Sequence, residues 1–292
     1  MSEDIGFRRA LRHHGRQLLR AFNSNKASWV GLVLFLGIVA CALLAPWLSS
    51  HDPAEQYMGA RLAPPSAEFL LGTDDFGRDI LSRLLYGARL SLLIGLTSTT
   101  LALVIGSLIG ALAGFYGGRF DLLIMQAMDV LLAFPSLILG LLVVAMLGPS
   151  IANLTIAIAL TAVPAFARIA RSPTLVIKQR EFILAGRTLG FGDARLLGRH
   201  ILPNIAPEIL VMGSLWLGTT IRVESSLAFI GLGVPPPTST WGGMIRSGFE
   251  NILDSPWLVL WPSLAILLCV FSLNLLGDGL RDAIDPKLRG EG

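Results

Sequence analysis

Six stretches of this chain are long and apolar enough to cross a lipid bilayer as helices: 29–48, 90–115, 122–147, 151–169, 209–231 and 257–276. A hydrocarbon core about 30 Å thick takes about 20 helical residues. Within it the backbone must satisfy its own hydrogen bonds, which restricts spanning segments of this kind to helices. The expected fold class is therefore all-α, a polytopic bundle of six transmembrane helices. Composition agrees, with 53% hydrophobic and only 15% charged residues, where a soluble domain carries about 25% charged. Gly148-Pro149-Ser150 leaves only a tight turn between the third and fourth stretches. Pro135 and Pro164 are expected to kink the helices that contain them. The first stretch is too long for the apolar region of a signal peptide and follows a long polar tail, so it reads as an uncleaved anchor.

Basic residues orient the bundle, because cytoplasmic segments carry the excess of Lys and Arg. With the N-terminus inside, seventeen basic residues fall on cytoplasmic segments, among them Arg8, Arg20, Arg180, Arg187 and Lys287. Five fall outside: Arg61, Arg78, Arg83, Arg89 and Arg246. Both termini are thus expected in the cytoplasm. The organisation reads as a cytoplasmic tail (1–28), an anchor helix (29–48), an extracytoplasmic segment (49–89), a transmembrane domain (90–280) with a cytoplasmic loop (171–208), and a cytoplasmic tail (281–292). A loop as long as 171–208 exceeds an ordinary helix connection several-fold.

Enzyme chemistry is missing from the pattern. The only lysines are Lys26, Lys178 and Lys287, and none follows a glycine, so no phosphate-cradling G-x-x-x-x-G-K-[ST] loop exists. H-E-x-x-H, G-x-S-x-G and C-x-x-C are absent, and no span contains a histidine. Cys41 and Cys269 lie singly in apolar runs, and no metal-ligand spacing occurs. The net charge of +3 gives no support for nucleic-acid binding. No cofactor is expected on this chain.

The cytoplasmic loop carries the most informative local pattern. Arg180 to Asn204 reads as a short helix, a stop around Gly190 to Gly192, and a second amphipathic helix closed near Pro203. Ala185 and Gly186 keep one face small, while Leu189 and Phe191 offer apolar knobs, and Gly190 permits a left-handed backbone. Such an element suits docking in a partner's groove. The segment resembles the EAA loop of binding-protein-dependent ABC importer permeases: Ala185, Gly186, Gly190, Leu202 and Pro203 stand at the family spacing. The pattern's leading Glu is Leu184 here and its second Ala is Gly186; Glu181 is the nearest acid, and its equivalence is open.

Further motifs resemble the peptide and nickel branch of that family. They are Gly72-Thr73-Asp74-Asp75-Phe76-Gly77-Arg78-Asp79, Leu227 to Gly233 with Pro235-Pro236-Pro237 and Trp241-Gly242, and Asn274 to Asp282 with Asp285-Pro286-Lys287. The resemblance implies an accessory first helix and a five-helix permease core in a bacterial inner membrane. It implies four kinds of partner: a homologous permease subunit, two cytoplasmic ATPases holding ATP and Mg, an extracytoplasmic binding protein, and the bilayer. It implies that Glu181, Ala185, Gly186, Leu189, Gly190, Phe191 and Pro203 form the coupling element. The implied cargo is a di- or oligopeptide, with glutathione or a nickel chelate as alternatives.

Asp129, Arg222 and Glu224 lie within spans, where an ionisable side chain must face protein or water. Each either lines a path, meets a partner subunit or makes a buried structural hydrogen bond. An ion-coupled carrier using Asp129 or Glu224 is the rival class. Gly95, Gly106, Gly110, Ala111 and Gly114 either leave room for cargo or allow close helix packing.

Overall fold

The computed structural model describes residues 26–284. The basic tail ahead of Lys26 and the Asp285-Pro286-Lys287 motif lie outside the described residues. The elements are α1 (Lys26–Leu43), α2 (Ile80–Tyr116), α3 (Gly118–Ala133), α4 (Ser136–Leu147), α5 (Ile151–Ile177), α6 (Glu181–Thr188), α7 (Leu202–Leu227), α8 (Trp241–Phe249) and α9 (Trp257–Ile284). The described residues form no strand, apart from one isolated Thr73–Asp79 bridge. Five helices are of membrane-spanning length and apolarity, α7 together with the turns that flank it.

The third expected span is not one helix. α3 and α4 meet at a 92° bend. Proline disfavours helical backbone at the residue before it, and Phe134 is extended at ψ 133° with Pro135 leading into α4. Pro164 behaves otherwise, since α5 runs through it unbroken. α1 ends at Leu43, and Pro46 opens a separate turn over Ala45–Leu48.

α2 begins at Ile80, ahead of the apolar run, because Asp79 caps it by accepting from the Ser82 amide at 2.8 Å. It is 37 residues long, about 55 Å at 1.5 Å per residue. Its small residues are buried against neighbouring helices. A Cβ on Gly106 would lie 2.5 Å from the Val163 carbonyl oxygen, one on Gly110 2.0 Å from that of Ala167, and one on Gly114 3.0 Å from that of Arg171. These glycines recur every four residues and so share one helix face, which lets α2 and α5 meet backbone to backbone. Gly95 meets Ile221 of α7 in the same way. The stripe serves packing, which settles the choice that the sequence left open. α1 lies against α9, with Gly31 at Leu275 and Ser28 at Gly279.

Topology is testable by labelling in a background where Cys41 and Cys269 are replaced. Ser239 is buried, so Glu68→Cys is the better outer probe and Asp193→Cys the inner one; both positions are exposed. An impermeant thiol reagent should modify Glu68→Cys in intact cells and Asp193→Cys only after permeabilisation. Labelling of Asp193→Cys from outside would reverse the orientation.

Candidate functional site

The loop after α5 folds as a compact hairpin of helices. α6 ends in a two-bond cap: the Phe191 amide donates to Gly186 O at 2.9 Å and the Gly190 amide to Arg187 O at 3.0 Å. This cap requires a left-handed residue, and Gly190 supplies it at φ 79°. Gly186 is buried, and a Cβ there would lie 3.1 Å from the Phe191 ring and 3.0 Å from Leu196. Phe191 is therefore spent inside the loop, with Arg195 over its ring at 4.0 Å and His200 stacked at 6.0 Å. Ile183 faces the bundle and is fully buried. What remains outward is Glu181, Phe182, Leu184, Ala185, Arg187, Thr188, Leu189 and Gly190, with Leu189 73% exposed. The outward face is thus larger and more apolar than the small-residue face expected from Ala185 and Gly186. Pro203 lies at the start of α7.

This loop is fastened to the bundle. Lys178 Nζ donates to the Gly114 carbonyl at 2.6 Å, capping the last turn of α2. The Arg187 guanidinium lies 5.3 Å from the Phe115 ring centroid. Arg171 donates through Nε and an Nη to both oxygens of Asp121 at 2.6 Å each, tying α5 to α3.

The three intramembrane charges part company. Glu224 is fully buried, with Oε2 accepting from Ser91 and Ser225 hydroxyls at 3.4 and 3.3 Å. Ser91 also accepts from the Trp241 amide at 3.2 Å. Glu224 thus belongs to a polar joint between α7, α2 and α8 and does not line an open surface. Asp129 is paired with Arg168, and both side chains are more than half exposed. Arg222 is exposed and donates to Thr219 Oγ1 at 3.0 Å. At the α3–α4 bend lies a cavity of about 310 Å³ bordered by Pro135, Ser136, Thr161, Trp216, Thr219 and Thr220. Arg168 was not among the expected site residues, because its span and the cytoplasmic loop adjoin in sequence and only the fold pairs it with Asp129.

The Gly72–Asp79 motif is an internal knot. Asp74 Oδ1 accepts from the amides of Phe76 and Arg78 at 2.9 Å, while Oδ2 accepts from Arg78 Nε at 2.7 Å and lies 3.3 Å from Arg83 Nε. Thr73 Oγ1 accepts from the Ala63 amide at 2.9 Å. Gly72 and Gly77 have φ of 84° and 75°, and a Cβ on Gly77 would overlap the Tyr57 carbonyl. Thr73, Asp74, Arg78 and Asp79 are all buried, so the motif organises the N-terminal end of α2. Burial and the Asp74 charge raise the Asp75 carboxyl above its ordinary value. A raised carboxyl pKa favours the protonated folded state, so stability falls as pH rises past the ordinary value. Asp75→Asn should raise the thermal midpoint by about 1–3 °C at pH 7 and leave it unchanged below pH 4, read in a detergent melt.

The chain belongs to the family of binding-protein-dependent transport system inner membrane components, whose profile matches residues 106–290. A second profile, the N-terminal transmembrane domain of oligopeptide transport permease C, matches residues 15–65. Among its relatives, the di/tripeptide transport system permease protein DppC of Pseudomonas aeruginosa is 46% identical over 94% of this chain and 92% of its own length. The dipeptide transport system permease protein DppC of Alkalihalophilus pseudofirmus is 43% identical over 94% and 90%. The glutathione transport system permease protein GsiD of Pectobacterium atrosepticum is 41% identical over 96% and 94%. A chain of the inward-facing MetNI methionine ABC transporter shares the fold, with TM-score 0.57 and 16% identity over 70% of this chain and 97% of its own.

Proposed function

We infer that this permease forms half of a path for di- and oligopeptides, entering from an extracytoplasmic binding protein and driven by separate ATPases. The observations that carry the path are three exposed charges on the spans, Asp129, Arg168 and Arg222, and the cavity bordered by Thr161 and Thr219, which we read together as one polar strip. Exposed charges at membrane depth must meet water or protein, and a second, homologous permease facing this strip would enclose an aqueous route. The relatives' names support peptide cargo. The outward Phe182, Leu184, Ala185 and Leu189 face supports docking in a groove of an ATPase, which holds ATP and Mg. Both termini lie in the cytoplasm in this reading, on the side of that docking face. The chain itself contributes positioning and movement and leaves hydrolysis to its partners.

The experiment is uptake by the reconstituted complex of a labelled dipeptide, with excess tripeptide, glutathione or nickel chelate as competitors. Dipeptide should accumulate with ATP and without an ion gradient, and peptides should compete. Uptake of glutathione or nickel chelate with no peptide uptake would reassign the cargo, and uptake driven by an ion gradient alone would reassign the class.

A further inference from the structure

Among the described residues Arg222 has no acidic partner, unlike the two arginines of α5. Arg168 has Asp129 and Arg171 has Asp121, whereas no carboxylate lies within ion-pair distance of Arg222 among the described residues. Its hydrogen bond is to Thr219, one turn back on α7. Glu224, near in sequence, is turned away and held by Ser91 and Ser225. A guanidinium exposed at this depth is costly in lipid, and it presents a planar fork that matches a carboxylate. Thr219 both tethers the guanidinium and lines the 310 Å³ cavity at the α3–α4 bend. The strip therefore offers one uncompensated positive charge beside a space with hydroxyls from Ser136, Thr161 and Thr219.

We propose that Arg222 receives the carboxylate of the crossing cargo, with Thr219 holding the guanidinium in place and the cavity at the bend taking the adjoining side chain. This rests on the peptide reading above. A free peptide ends in a carboxylate, and a charge-assisted pair binds it more strongly than a neutral hydrogen bond. Asp129 is already held by Arg168, so this wall selects the anionic end of a peptide over its ammonium end.

The test compares wild type with Arg222→Lys, Arg222→Gln and Arg222→Glu in proteoliposomes holding the full complex. Labelled dipeptide uptake is followed against the concentration of loaded binding protein, and rates are scaled to assembled complex. Arg222→Gln should lower the maximal rate about tenfold, the loss expected for one hydrogen bond to a charged group. The half-saturating concentration of binding protein should stay unchanged, because docking is untouched. Arg222→Lys should keep most of the rate, and Arg222→Glu should fall below Arg222→Gln. Equal losses for Lys and Gln would overturn the proposal. So would a raised half-saturating concentration at unchanged maximal rate, or loss of the second permease from the purified Gln complex, which would place the carboxylate on a protein. A wild type that carries no peptide overturns the peptide reading and this inference together. A wild type that carries peptide, matched by Arg222→Gln, overturns this inference alone.

Discussion

Gly110→Ala should destabilise the permease by about 3 kcal/mol or more, although the same change in an open helix stabilises by up to about 1 kcal/mol. The sign turns on what the new methyl meets. At Gly110 the Cβ would lie 2.0 Å from the Ala167 carbonyl oxygen and 2.7 Å from its carbon. Neither can move without moving α5, so the seam must part or α2 must rotate, and overpacking of this kind costs more than a side-chain adjustment. Gly37→Ala in α1 is the control, since a Cβ there meets nothing within 4 Å. Thermal midpoint and yield of the detergent-purified complex should fall sharply for Gly110→Ala and hold for Gly37→Ala. Equal behaviour of the two would show that the α2–α5 seam is loose.

Gly190→Arg should cut uptake at least tenfold while leaving membrane insertion intact. Two effects act together. A left-handed backbone costs a non-glycine residue about 1 kcal/mol, and this loosens the cap that joins α6 to Phe191. A long charged chain also enters the outward apolar face beside Leu189. Gly190→Asn separates the effects, because asparagine tolerates the left-handed region and is short. Uptake by Gly190→Asn should stay within about twofold of wild type. Comparable loss in both variants would assign the defect to the backbone, and wild-type uptake by Gly190→Arg at equal expression would remove the loop from coupling.

Much of this architecture was legible in the apolar runs, since length and lack of charge are enough to mark a span. The Gly148-Pro149-Ser150 turn formed as expected, with Gly148 at φ 85° and Ser150 capping α5 through the Asn153 amide. The polar first turns of α2 were missed because Arg83 and Arg89 interrupt the apolar pattern; the signal was Asp79 with Ser82 three residues on, a capping pair. Pro135 announced a kink, but its 92° angle depends on how α4 packs against α5. The sequence could not separate Glu224 from Asp129, because burial depends on which neighbour each helix face meets. In the loop, Gly186 looked like part of an outward small face, and only the fold reveals that Phe191 covers it.

The length of α2 has a mechanical meaning. Its C-terminal end is gripped by Lys178, the residue that caps α5, and its N-terminal end is the Asp79 cap within the Asp74–Arg78–Arg83 knot. A stiff strut of about 55 Å converts a tilt of about 5° at one end into about 5 Å of travel at the other. If the loop docks on an ATPase as proposed, work done on it would reach the opposite end of α2 as displacement of the knot. No chain of small rearrangements through the bundle is needed to carry it there.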